Sequence, residues 1–114
     1  MDKAVSRISE WQSVADGSTF QLLRDETDAL GMRHMRYRQW VQGVEVQGSA
    51  VMVHGRDGLV TSVNGVVMEQ QTAPGQTRSM VNRAKSKARG GQKLYFVQTA
   101  NGYRCATLQY DLVA

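Results

Sequence analysis

The side chains with the chemistry to bind a metal or attack a carbonyl are few: His34, His54, Cys105 and the carboxylates Asp25, Glu26 and Asp28. A metal site needs ligands that converge, such as two histidines on one helical face with a glutamate between them, or carboxylates at ligand spacing. His34 and His54 fall instead in segments that alternate like strands, and both read as half-buried or surface strand histidines. A cysteine nucleophile needs a histidine base and a third group to orient that base. Cys105 stands in an apolar strand pattern and reads as a small core hydrophobe. Asp25, Glu26 and Asp28 have the oxygen ligands calcium favours, but a solvated loop accounts for their charge. The run GRDG, residues 55–58, leads into a strand, whereas a phosphate cradle needs a helix N-terminus. No constellation supports catalysis, a metal or a cofactor. The question therefore moves from reaction to partner.

The frame that would hold such residues is one domain, or two closely packed halves, since 114 residues suffice for one real core. With 41 % hydrophobic and 21 % charged residues and a single proline, the composition is that of a folded globular chain. No apolar run approaches the ~18 residues of a membrane span, and the start MDKAVSRISEW lacks the apolar stretch of a signal peptide. One cysteine allows no internal disulfide. The net charge of +4 favours acidic partners weakly, and its densest stretch, RAKSKARGGQK, reads as the wet side of a helix. Nucleic-acid binding would call for aromatic side chains interleaved with a basic face, so it is not expected.

Along the chain, Val5, Ile8, Trp11 and Val14 give residues 2–15 one apolar helical side, and Asp16-Gly17 stops that helix. Residues 20–24 alternate as a short strand before the charged stretch DETDALG, which reads as a loop. From 32 to 41 the period is two, with Met35, Tyr37, Gln39 and Val41 on one face and His34, Arg36, Arg38 and Trp40 on the other. Gly43 and Gly48 interrupt the strand pattern on either side of Val44 and Val46, which reads as bends that let a long ribbon curl over a core. Residues 50–54 and 59–68 form a hairpin closed by Asp57-Gly58. The polar stretch EQQTAPGQT, with Pro74, reads as a connection to a helix over 78–89 that Gly90-Gly91 ends. Residues 93–99 and 103–112 then make a second hairpin around Asn101-Gly102. The expected fold is α+β, helices packed on curved antiparallel sheets, with modules at 1–70 and 78–114 joined by 71–77.

The stretch RYRQWVQGVEVQGSAVMVHGRDGLVTSVNG resembles the propeptide module shared by fungalysin and thermolysin precursors. In that module a strand ending in Gln leads to Gly, then Val-x-Gly, an apolar strand, an Asp-Gly turn and a strand closing on Asn-Gly. Those positions fall here on Gln39, Gly43, Val46, Gly48, Asp57, Gly58, Asn64 and Gly65. The preceding TDALGMRHMRYRQ is similar to bacterial versions, and KLYFVQTANGYRCATLQYDLV is similar to the final hairpin of a PepSY module, here shortened.

The resemblance implies a cystatin-like propeptide fold and a pro-domain of a secreted thermolysin-like zinc metallopeptidase, serving as its folding chaperone and latency inhibitor. Its partner would be the cognate catalytic domain, its location outside the cell or in the envelope, and its own chemistry none. The motif residues then work as architecture: glycines permit bends, Val46 fills core, and Asn64-Gly65 ends a strand. For docking the face with His34, Arg36, Arg38 and Trp40 is expected, since Trp and Arg anchor interfaces. The bland alternative has Trp40 packed under a helix and the arginines simply hydrated. The tail nearest the protease cleft would be Tyr110, Asp111, Leu112, Val113 and Ala114. A stand-alone protein-binding module of the cell envelope with the same fold is the alternative function.

Overall fold

The computed structural model describes residues 2–71, 75–88, 92–100 and 102–108. The expected turn around Pro74, the Gly90-Gly91 cap, Asn101 and the tail 110–114 lie outside those residues.

The chain begins with helix α1, Asp2–Trp11, whose Ala4 and Ile8 are buried. It ends before the expected residue 15 because Val14 leaves the helix to bridge Glu69. Strand β1, Ser18–Thr27, pairs antiparallel with β2, Arg33–Val41, so the charged residues Asp25 and Glu26, with Thr27 after them, belong to a hairpin arm and not to a loop. Its residues 21–27 are exposed on both sides, which hides the alternation by which a strand is usually read.

β2 turns through Gln42-Gly43 into β3, Val44–Val46. Both turn residues have positive φ, 52° and 76°, as the favoured two-residue hairpin turn requires, so Gly43 serves a tight turn and not a bulge. β4, Ala50–Arg56, continues along the same edge of β2 and pairs with β5, Leu59–Val66, through Asp57-Gly58, again both at positive φ. Helix α2, Gln76–Lys87, follows, then the hairpin of β6, Lys93–Thr99, and β7, Gly102–Leu108.

β6 lies parallel to β3, with Glu45 beside Tyr95 and Val46 beside Phe96. The sheet order is therefore β5-β4-β2-β3-β6-β7, with β1 on the other edge of β2. Two apolar clusters lie on one face. Under α1 sit Met35, Tyr37, Val51, Val53 and Val67; near α2, whose Val81 joins them, sit Val41, Val44, Val46, Met68 and Phe96. The mixed α+β class with a largely antiparallel sheet is what the alternation implies.

Candidate functional site

One strand organises the two faces of the sheet. Along β2 the residues Met35, Tyr37, Gln39 and Val41 are buried, while His34, Arg36, Arg38 and Trp40 point the other way and are exposed or half-buried. Among the described residues both helices pack on the first face, so the second, continued by Met52 and His54 of β4, faces outward.

The step from β3 to β4 shapes that outward face. Trp40 pairs with Glu45 and Tyr37 with Val51, so the two residues between them on β2 oppose five on the other side, 46 to 50. The excess is a bulge at which Gly48 takes φ 79°. Ser49 repairs the broken ladder. Its hydroxyl accepts the Gln39 backbone N–H at 3.0 Å and donates to the Val46 carbonyl at 2.7 Å. On the core side the Gln39 carboxamide, fully buried, donates to the Met68 carbonyl at 3.0 Å and accepts the Met68 N–H at 2.6 Å. It also donates to Ser18 Oγ at 3.0 Å. A side-chain amide thus pairs with a backbone as a neighbouring strand would, leaving no polar atom of this glutamine unpartnered.

The histidines meet across β2 and β4. His34 and His54 are direct cross-strand partners, their Nδ1 atoms 2.7 Å apart and their rings edge to face. The other nitrogen of His34 lies 2.8 Å from Asp28 Oδ2. With Nε2–H of His34 given to the carboxylate, its Nδ1 in the neutral ring accepts, and His54 donates the one proton that bond can hold. Asp28 is further occupied by the Leu30 and Met32 N–H groups, both at 2.9 Å. The bond from His34, and then that from Met32, hold its carboxyl below the usual carboxylate range. Sequence reading missed this contact. The alternation placed both histidines outward, but the three-residue excess at the bulge hides the register that makes them face each other.

Asp25 is gripped by the Arg33 guanidinium, with Nε 2.8 Å from Oδ1, and that bond lowers its pKa. Glu26 pairs with Arg24 at 2.7 Å. Three carboxylates that the sequence groups together therefore have three separate partners, and among the described residues no set of three or more His, Cys, Asp or Glu forms a metal site. Cys105 is half-buried beside the second cluster, and burial pushes its thiol pKa up, the opposite of what a nucleophile needs. A hollow of about 610 Å³ lies at the far end between β1, β2 and the β4–β5 turn, walled by Thr27, Met35, Leu59 and Val60 with Arg33 and Arg56.

On the outward face Trp40 donates its indole N–H to Gln21 at 2.9 Å and borders a shallow hollow with Lys85, Lys93 and Tyr95. Arg38 pairs with Glu45 at 2.9 Å. The Arg36 side chain is exposed and makes no ion pair or hydrogen bond among the described residues. The structure thus brings His34, Arg36, Arg38 and Trp40 onto one face. Of the motif positions, Gln39 and Val46 are buried, Gly43, Asp57 and Gly58 make turns, and Gly48 makes the bulge. Asn64 and Gly65 lie in the last three residues of β5, opposite Met52 and Val51. A Cβ at Gly65 would come within 2.0 Å of the Ala50 carbonyl oxygen, so the glycine is there for close strand approach.

Residues 18–67 match the family model of the Fungalysin/Thermolysin Propeptide Motif. Over that segment, 50 of the 114 residues, the chain is therefore similar to a propeptide motif. The chain is also similar to curated proteins. The chain is 36 % identical over 69 residues to Bacillolysin of Bacillus subtilis subsp. amylosacchariticus, and equally to Bacillolysin of Bacillus subtilis (strain 168). The overlap takes in 60 % of this chain and spans 13 % of the length of these relatives. No helix among the described residues is long and apolar enough to cross a membrane.

Proposed function

We propose that the chain is the pro-domain of a secreted thermolysin-like zinc metallopeptidase, which it helps to fold and holds latent. The observation that carries this reading is the propeptide motif over residues 18–67, together with the likeness to Bacillolysin. The physics agrees with it. A folded partner that binds the native peptidase better than its unfolded chain stabilises the native state by mass action. The outward face with His34, Arg36, Arg38 and Trp40 is the docking surface in this reading, and the tail 110–114 blocks the substrate cleft. The helix and hairpin over 78–114 act as a shortened PepSY-like module that leads to that tail, and the chain works outside the cell or in the envelope.

The test adds the purified chain to its cognate mature peptidase. Peptide hydrolysis should slow at micromolar concentration, and denatured peptidase should regain activity faster when refolded with the chain present. An active peptidase that neither slows nor refolds better would sink the proposal.

A further inference from the structure

The bulge leaves a hollow on the outward face whose charges do not balance. It encloses about 350 Å³ and is walled by Arg36, Arg38, Glu45, Gln47, Ser49 and Tyr95. Two of these walls are cationic and one anionic, so the pocket keeps one positive charge over. Arg38 already engages Glu45, and the unspent guanidinium is that of Arg36. Its direct cross-strand partner on β1 is another arginine, Arg24, a placement that repels in the absence of an anion. Glu26 answers Arg24 at 2.7 Å, and nothing described answers Arg36. Around it the walls are fixed. Ser49 is tied to the bulge by its two hydroxyl bonds, Gln47 N–H is bonded to the Phe96 carbonyl at 2.8 Å, and Tyr95 is buried. An anion arriving at Arg36 therefore meets walls that are already ordered.

We propose that this hollow is a carboxylate-binding site that receives one aspartate or glutamate side chain of a polypeptide partner, with Arg36 as its principal ligand and Arg38 beside it. A guanidinium offers a planar fork of donors matched to a carboxylate. One carboxylate also balances the single surplus charge, whereas Glu45 repels a more densely charged ligand such as a phosphomonoester or a nucleic-acid backbone. Where the partner is a metallopeptidase, this deepens the function proposed above and rests on it; the ligand chemistry does not.

Two measurements on the whole chain separate the two ideas. In the first, amide and arginine Nε–H resonances are followed while Ac-Gly-Glu-Gly-NH2 is added at millimolar concentration, with Ac-Gly-Gln-Gly-NH2 as the neutral comparison. The glutamate peptide should shift Arg36, Arg38, Ser49 and Tyr95, the glutamine peptide should not, and Arg36→Gln should abolish the response. Equal shifts with both peptides, or shifts that map elsewhere, overturn the proposal. So does stronger occupation of the same residues by inorganic phosphate or a DNA oligonucleotide. In the second, Arg36→Gln should weaken inhibition of the cognate peptidase about tenfold and lessen its salt dependence, while Arg83→Gln on the exposed side of α2 should leave it unchanged. Full inhibition by Arg36→Gln, equal to the parent, overturns the site's use in binding the peptidase. If the parent chain binds the glutamate peptide but does not inhibit the peptidase, the carboxylate site stands and the pro-domain reading falls.

Discussion

Gln39 is a polar side chain in the place of a hydrophobic one, and its position shows why. Where the chain returns from β5 toward α2, Met68 has lost a strand neighbour, and the Gln39 carboxamide supplies both a donor and an acceptor to its backbone. Replacing Gln39 by leucine keeps the volume but orphans a buried N–H and C=O, so it should cost about 2–4 kcal/mol in chemical denaturation. Ser49→Ala strands the Gln39 N–H in the same way and should cost about 1–3 kcal/mol. A loss under 0.5 kcal/mol in both would mean water replaces these partners. Asp28 gives a prediction in pH. Its carboxyl sits below the usual range when folded, so its contribution is present above about pH 4 and is lost as pH falls through the lower folded value. In thermal melts from pH 6 to pH 2, the gap between the parent and Asp28→Asn should close toward the acid end. A gap constant with pH would exclude the carboxylate as its source.

Turns were the most legible elements, because their chemistry is local. Asp57-Gly58 closes the β4–β5 hairpin as its residue types require, and β6 occupies residues 93–99 as its alternation implies. β1 was legible only in its first half: an edge strand wet on both sides carries no period, and its acidic residues resemble a loop. Glycines were read correctly as special but not always for the right cause. Gly43 serves a turn, and Gly65 serves contact between β4 and β5. These causes predict different costs. Gly65→Ala must push the strands apart and should cost about 3 kcal/mol or more, with β4–β5 amides losing hydrogen-exchange protection. At Gly48 nothing lies within 4 Å of an added Cβ, so Gly48→Ala should cost only the left-handed backbone conformation, about 1–2 kcal/mol. Equal costs at the two positions would contradict the packing given for Gly65.

At the scale of the molecule, sequence periodicity divides the chain at residues 71–77, because composition changes there, but it is blind to a pairing between distant strands. The parallel contact of β3 with β6 joins what lies on either side, and the second cluster draws Val41, Val44, Val46 and Met68 from one side and Val81 and Phe96 from the other. Phe96 is fully buried against residues some fifty positions earlier, its neighbour in the β3–β6 ladder being Val46. Phe96→Ala should therefore cost about 3–5 kcal/mol and destabilise α1 and β1–β5 together with the C-terminal hairpin, in one transition. The sharper test is a fragment of residues 1–71. Without α2 and β6 it exposes the apolar side of β3 and the end of β2, a contiguous patch too large for a small domain to leave wet. It should keep strand signal in far-ultraviolet circular dichroism, bind a hydrophobic dye and melt without a sharp transition. A fragment with a cooperative melt and a dispersed amide spectrum would show instead that the propeptide motif folds by itself, and that the β3–β6 contact is a docking seam between two independent modules.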